Sequence, residues 1–155
     1  RMRLQILQGS LFLMAAVVPA AASGGLDCSI KDKSVDFTLS SGVTRGMGGP
    51  TFNLKADLKI LKKGVVEDFR AMVLDDGNRP QYWLDDKELR LIFYREREGD
   101  KPFASVELEI RAKSIGDDAG TYNGTYKLTG DSLQGAGSAQ PGRLMLKGKV
   151  SCSVE

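Results

Sequence analysis

The side chains that could perform chemistry in this chain are few, because the sequence contains no histidine. Its absence removes Ser–His and Cys–His nucleophiles, imidazole ligands for zinc and the commonest general base. Two cysteines are the only thiols, and a zinc site built on them would need carboxylates or a second chain to reach four ligands. We therefore expect a protein that is not an enzyme and that uses no metal and no cofactor.

Carboxylates are the remaining candidates, and they include three adjacent pairs. The pairs are Asp75–Asp76, Asp85–Asp86 and Asp117–Asp118. Each pair lies in a predicted turn, where an aspartate side chain can accept hydrogen bonds from nearby backbone amides. A calcium site or a carboxylate enzyme would be the alternative use, but the spacing of a calcium-binding loop is absent. Turn formation is the expected role of these residues.

Cys28 and Cys152 are predicted to form one structural disulfide. Each lies on the apolar side of a segment in which apolar and polar residues alternate, the pattern of a half-buried strand. The apolar positions are Leu26, Cys28 and Ile30 near the start, and Leu144, Leu146, Val150, Cys152 and Val154 at the end. Because a bridge needs Cα atoms within about 7 Å, the first and last strands should be neighbours or face each other across the core. Two buried free thiols are the alternative.

Residues 1–22 have the pattern of a signal peptide. Arg1 and Arg3 are followed by an apolar run at residues 11–18 and by small residues before Ser23. The alternative, an uncleaved membrane anchor, would need about 18 apolar residues to span the bilayer. Together with a disulfide, this leader predicts a periplasmic or secreted protein with no membrane insertion after cleavage.

The charge of the predicted mature chain is balanced. The whole chain carries a net charge of +2, and Arg1 and Arg3 account for this excess. From Ser23 onward there are therefore equal numbers of basic and acidic residues, so no overall field attracts phosphate backbones or anionic lipid. We expect no nucleic-acid partner.

From residue 23 to residue 155 the sequence predicts a single all-β domain. Alternation with a period of two recurs in about eight short segments separated by turn residues. The expected architecture is a mainly antiparallel β-sandwich, for which an immunoglobulin-like arrangement is one form, and a closed meander β-barrel is the alternative. Residues 69–74 are apolar on both sides of the alternation, which predicts a strand covered on both faces.

One short motif, Asp118-Ala119-Gly120-Thr121-Tyr122, resembles the tyrosine corner of immunoglobulin-like domains. In that motif a tyrosine hydroxyl ties down the loop before its strand. Gly124 occupies the position at which an antibody-type domain would have a cysteine. The resemblance implies a sandwich and extends over five residues.

The candidate interaction residues lie in two neighbouring predicted strands. They are Trp83, Ile92, Tyr94, Arg95 and Arg97. On a solvent-facing side of the sheet, Ile92 and Tyr94 would form an apolar patch flanked by the two arginines, a combination typical of interface anchors. The alternative is that both faces of the strand are covered and these residues belong to the core.

These features predict an exported, non-enzymatic binding module that acts through protein–protein contact with a partner protein. Glycine-rich connections at residues 41–50 and 130–141 are the expected recognition loops, since loops on a rigid scaffold commonly carry binding residues. The alternative is a small β-barrel that carries an apolar ligand in its interior.

Overall fold

The computed structural model describes residues 23–44, 51–117, 120–133 and 142–155. Within these ranges the chain forms nine strands of one antiparallel sheet, in the order β4-β3-β2-β1-β9-β8-β7-β6-β5. The strands are β1 (Ser23–Lys31), β2 (Val35–Thr44), β3 (Thr51–Ile60), β4 (Ala71–Asp75), β5 (Gln81–Leu84), β6 (Glu88–Glu96), β7 (Ala104–Ser114), β8 (Thr121–Ser132) and β9 (Gly142–Val154). The prediction of an all-β, antiparallel structure is confirmed. The predicted leader lies outside the described residues.

The period-two alternation places one side of every long strand in the core. In β6, for example, Leu89, Leu91 and Phe93 are buried, while Arg90 is exposed and Ile92 is half-buried. Successive side chains of a strand point to opposite faces, so this pattern makes one face of the sheet apolar. The buried side chains of all the long strands join in one hydrophobic cluster.

Two meanders build the sheet, and they meet at its centre. Strands β1 to β4 form one meander and β5 to β9 form the other, and β1 pairs with β9. The sheet then curls into a half-barrel that encloses the apolar face. The rings of Phe37 in β2 and Phe93 in β6 touch across the interior, with centroids 5.8 Å apart. The core therefore lies between the two halves of a single curled sheet.

The cysteine prediction is matched by the structure. Cys28 of β1 lies directly opposite Cys152 of β9, with sulfur atoms 2.09 Å apart and Cα atoms 4.1 Å apart. Gly25 and Glu155, three residues away along the ladder, exchange both backbone hydrogen bonds. The cysteines therefore occupy a non-hydrogen-bonded pair, the type in which opposite Cα atoms approach most closely. The first and last strands are neighbours rather than opposing layers.

Strand β4 differs from its prediction. The sequence of residues 69–74 predicts a strand covered on both faces, but β4 is an edge strand, and the side chain of Val73 is 51% exposed. Phe69 is buried, but it belongs to a 3-10 turn, Glu67–Phe69, that precedes the strand. The prediction of a strand covered on both faces is therefore wrong. Apolar residues on both sides of the alternation are typical of a central strand, but here Phe69 belongs to the preceding turn and the strand itself lies at the sheet edge.

Side chains connect the β4 edge to β6. The guanidinium of Arg95 donates to the carbonyl oxygen of Val73 at 2.9 Å. The amide of Asn78 donates to the carbonyl oxygen of Tyr94 at 3.4 Å. Edge carbonyls that side chains occupy are less available for pairing with another chain.

Candidate interaction surface

The structure separates the five predicted interaction residues into two groups. Trp83, Ile92 and Tyr94 lie on the outer face of the sheet, and the side chain of Trp83 is 54% exposed. Arg95 lies on the other side of β6, which is the side of the core residues Leu89, Leu91 and Phe93, and Arg97 follows the end of the strand. The expected patch, with both arginines beside Ile92 and Tyr94, is therefore not formed.

Arg95 and Arg97 connect parts of the fold instead. Arg95 binds the β4 edge, as described above. The Nε atom of Arg97 donates to Asp68 at 2.7 Å, and its Nη1 atom donates to the carbonyl oxygen of Pro102 at 3.1 Å. Both arginines follow Leu89, Leu91 and Phe93 in the same alternation of side chains. The core ends after Phe93, so the inward side of this segment carries positive charge beyond that residue.

Tyr94 has an acidic neighbourhood. Its hydroxyl donates to the carboxylate of Glu96 at 3.0 Å, and its cross-strand neighbour in β7 is Glu107. Partial burial, together with these carboxylates, raises the pKa of the Tyr94 hydroxyl. The hydroxyl of Tyr94 is therefore already bound to a carboxylate of its own strand.

The register of β5 to β9 creates a surface that we call the cationic face. Its members are Trp83, Arg90, Ile92, Glu109, Arg111, Lys127, Lys147 and Lys149. Two rows run across the strands, perpendicular to them. The first row is Trp83, Arg90, Arg111, Thr125 and Lys149, and the second is Gln81, Ile92, Glu109, Lys127 and Lys147. Since neighbouring strands lie about 4.8 Å apart, each row extends about 19 Å.

Glu109 organises the middle of the cationic face. Its side chain is only 16% exposed, and it forms ion pairs with Arg111 and, at 3.5 Å, with the Nζ atom of Lys127. Partial burial opposes its ionisation, but these two cations hold the pKa of the Glu109 carboxyl below its usual value. The carboxylate therefore stays charged and pairs with two long cationic side chains.

The indole ring of Trp83 is held by a hydrogen bond from its nitrogen, while much of the ring remains exposed to solvent. The indole Nε1 atom donates to the carboxylate of Asp85 at 3.1 Å. The backbone amides of Lys87 and Glu88 donate to the same carboxylate at 2.8 and 2.7 Å. These amides lower the pKa of the Asp85 carboxyl. An exposed tryptophan held in one orientation is suited to contact with a partner, because little side-chain entropy remains to be lost.

Sequence reasoning missed the cations of this face. Arg90, Arg111, Lys127, Lys147 and Lys149 come from four different strands, each with one or two of them. No local cluster signals a charged surface, and the charge of the chain from Ser23 onward is balanced. The sequence does show that the polar side of each of these strands includes a basic residue. Whether those residues lie together depends on the order of the strands in the sheet, which the local pattern does not reveal.

Asp75 and Asp85 have the expected turn role. Asp75 accepts from the amide of Gly77 at 2.8 Å and caps a short 3-10 turn, and Asp85 closes the β5–β6 turn. Asp118 lies outside the described residues. Among the side chains that the structure describes, no group of three or more histidine, cysteine or carboxylate residues gathers in the manner of a metal site.

The tyrosine-corner resemblance does not extend to its hydrogen bond. Tyr122 is buried, and its hydroxyl donates to the carbonyl oxygen of Asp85 at 2.7 Å. It therefore ties down the β5–β6 turn rather than the turn that leads into β8. Residues 118–119 of the motif lie outside the described part of the chain.

Comparison with known proteins does not assign the chain to a family. The chain matches no protein-family profile, and no significant similarity to a curated protein or to a solved structure is found. In the described ranges, no helix has the length and apolar character that crossing a membrane would require.

Proposed function

We propose that the protein is an exported, non-enzymatic binding module that acts through contact with another protein, and that the cationic face is its contact surface. The observation that supports this most directly is the exposed Trp83 beside Ile92, together with five cations on one continuous sheet surface. Tryptophan and arginine are enriched among the residues that contribute most to protein–protein binding. The side chains arise from paired strands, so the backbone beneath them is already rigid.

The place of recognition in this proposal differs from the sequence-based expectation. Residues 41–50 and 130–141 were the expected recognition loops, but β2 extends to Thr44 and β8 extends to Ser132. Residues 45–50 and 134–141 of these connections lie outside the described part of the chain. The proposal therefore uses a sheet face, whose geometry is described, as the binding surface.

Export is proposed from the cysteine pair and the leader together. A disulfide-distance pair between β1 and β9 indicates an oxidising compartment, because thiols in the cytosol are kept reduced. The periplasm or the extracellular space is the proposed location. Amino-terminal sequencing of the protein isolated from its host tests this directly: a start at Ser23 supports cleavage, and a retained leader contradicts it.

For the architecture, we infer a barrel left open between its edge strands, β4 and β5, rather than a two-sheet sandwich. The unbroken order of hydrogen-bonded strands from β4 to β5 and the side-chain link from Arg95 to Val73 support this. The alternative function, a carrier of an apolar ligand, has less support. Phe37, Phe93 and Tyr126 are among the largest fully buried side chains and occupy the interior in which such a ligand would lie.

Site-specific photo-crosslinking tests the proposed contact surface. A photoreactive phenylalanine analogue replaces Trp83 in one variant, and in the matched control it replaces Thr38, an exposed residue on the outer face of β2. In the cells that produce the protein, we expect one defined protein adduct from position 83 and none from position 38. Equal adducts from both positions, or none from position 83, would contradict the proposal. Native mass spectrometry that finds a bound small molecule would instead support the carrier.

A further inference from the structure

We propose that the cationic face binds an extended acidic segment of the partner, which crosses the strands with an apolar residue at the Trp83 end and carboxylates at the β9 end. This inference rests on the proposed function, since it names the chemistry of the segment that the same surface would bind. It is based on the difference between the two ends of the surface, on its surplus of positive charge and on two adjacent depressions that connect the ends.

The cationic face has an apolar end and a cationic end. Trp83 and Ile92 lie on β5 and β6. Lys147 and Lys149 lie on β9 and are exposed, and within the described residues neither of them has an ion-pair partner. The surface therefore offers apolar contact on one side and unneutralised positive charge on the other. A segment that matches it must itself be apolar at one end and acidic at the other.

The charges of this surface leave a moderate positive surplus. Arg90 pairs with Glu88 at 2.8 Å, while Arg111 and Lys127 share Glu109. Five cations thus meet the carboxylates of Glu88 and Glu109, and the Asp85 carboxylate beside Trp83 reduces the excess to two positive charges. Charge complementarity of this size fits an acidic peptide segment with a few carboxylates.

Two open depressions join the two ends. One, of about 240 Å³, is lined by residues that include Trp83, Arg90 and Ile92. The other, of about 520 Å³, is lined by residues that include Lys127, Lys147 and Lys149. Glu109 and Arg111 line both depressions, which are therefore adjacent along the rows. A single extended segment can follow them from β5 to β9.

The strand spacing sets the separation of the partner's apolar and acidic residues. From Ile92 on β6 to Lys147 on β9 there are three strand spacings, or about 14 Å. An extended peptide advances about 3.3–3.6 Å per residue. The apolar residue and the first carboxylates at the β9 end should therefore be separated by about four residue positions.

A phosphate polymer or an anionic membrane fits this surface less well. Binding to a phosphate backbone depends on how many phosphates the protein's cations neutralise, and the surplus of cations on this surface is small. Glu109 lies in the second row between Ile92 and Lys127, and its charge would repel a continuous line of phosphates. The balanced charge of the chain from Ser23 onward adds no long-range attraction. These points favour a polypeptide.

Synthetic peptides test the inference. The probe is an octapeptide with phenylalanine, a Gly-Ser-Gly spacer and four glutamates, and the comparison peptides carry four glutamines or a serine in place of phenylalanine. Trp83 is the only tryptophan of the chain, so its fluorescence reports binding at the proposed end. We expect saturable binding that weakens at least tenfold with either comparison peptide and weakens steeply as salt is raised from 50 to 300 mM.

A matched pair of variants locates the binding. Lys147→Glu with Lys149→Glu should abolish detectable binding of the probe, and the milder Lys147→Gln with Lys149→Gln should weaken it several-fold. The control, Lys55→Glu with Lys59→Glu, makes the same change of net charge at exposed positions of β3 and should leave binding unchanged. Equal loss in the control would show a general charge effect and overturn the inference.

Other outcomes identify other occupants. Tighter binding to a thymidine 20-mer or to phosphatidylserine vesicles than to the peptide, lost in the Lys147 and Lys149 variants, would overturn the inference in favour of a nucleic acid or a membrane. Self-association that the same variants abolish would assign the surface to a second copy of the chain. A partner that crosslinks at position 83 but binds the charge-reversed variant normally would overturn the acidic segment while the proposed function stands.

Discussion

Phe37 and Phe93 come from strands separated by four others in the sheet, yet their rings touch with a centroid distance of 5.8 Å and an interplanar angle of 60°. The strands between them are β1, β9, β8 and β7. A flat sheet would hold β2 and β6 about 24 Å apart. The contact is therefore a direct consequence of curling, and it joins the two meanders through their side chains.

Truncating either phenylalanine side chain should destabilise the fold strongly. We expect Phe37→Ala or Phe93→Ala to cost about 3–5 kcal/mol in the free energy of unfolding, because each leaves a cavity at the meeting point of the two halves. The double variant should show a coupling of about 0.5–1.5 kcal/mol. Urea denaturation measures both quantities. Phe103→Ala, at a residue that is 44% exposed, is the control and should change stability little.

The disulfide should contribute much of the stability. It closes a loop with a sequence separation of 124, for which the chain-entropy model gives up to about 5 kcal/mol. We expect Cys28→Ser with Cys152→Ser, or full reduction, to lower the urea midpoint accordingly. Thiol titration of the unfolded, unreduced protein should detect no free thiol. Two reactive thiols per chain would show that the pair is not oxidised in the isolated protein.

The hydrogen bond between Tyr126 and Asp32 should make stability depend on pH in both directions. Partial burial opposes ionisation of Asp32, but the Tyr126 hydroxyl, 2.7 Å away, and two backbone amides hold the pKa of its carboxyl below its usual value. Burial and the Asp32 carboxylate raise the pKa of the Tyr126 hydroxyl. The bond therefore stabilises the fold while the Asp32 carboxyl is ionised and the Tyr126 hydroxyl is protonated. This stabilisation is lost as the pH falls below the ordinary aspartate pKa of 3.8 and as it rises above the ordinary tyrosine pKa of 10.0.

Tyr126→Phe isolates this contribution, because the ring remains and only the hydroxyl is removed. We expect the variant to be less stable than the original protein by about 1 kcal/mol near neutral pH. The difference should shrink in strong acid and in strong base, as measured by urea midpoints across the pH range. A difference that stays constant at every pH would show that the hydroxyl contributes in some other way.

A side chain at Gly148 should destabilise the fold. A Cβ atom there would lie 2.5 Å from the carboxylate of Asp32 and 2.6 Å from the ring of Tyr126. We expect Gly148→Ala to cost about 1–3 kcal/mol, since the ring must shift within a packed core. Gly25→Ala is the control in a neighbouring strand, because the atom nearest to a Cβ there would lie at an ordinary 3.9 Å. Equal effects in thermal unfolding would indicate a general cost of replacing strand glycines.

The sequence predicted the strands well because alternation is a local property of the pleat. Residues such as Leu89, Leu91 and Phe93 mark their buried side without knowledge of any neighbouring strand. The same local signal failed for Val73, because an edge position depends on the absence of a further strand. It also placed Arg95 and Arg97 in the wrong surroundings, since the pattern does not reveal where the core ends.

The sequence by itself determined the all-β class, the approximate strand positions, the turn roles of Asp75 and Asp85 and the pairing of Cys28 with Cys152. Each of these follows from local periodicity, from turn chemistry or from the presence of only two cysteines. Only the tertiary structure decided the strand order and register, and with them the rows that bring Trp83 and the cations of four strands together. Those rows depend on pairing between residues distant in the chain, which no local pattern encodes.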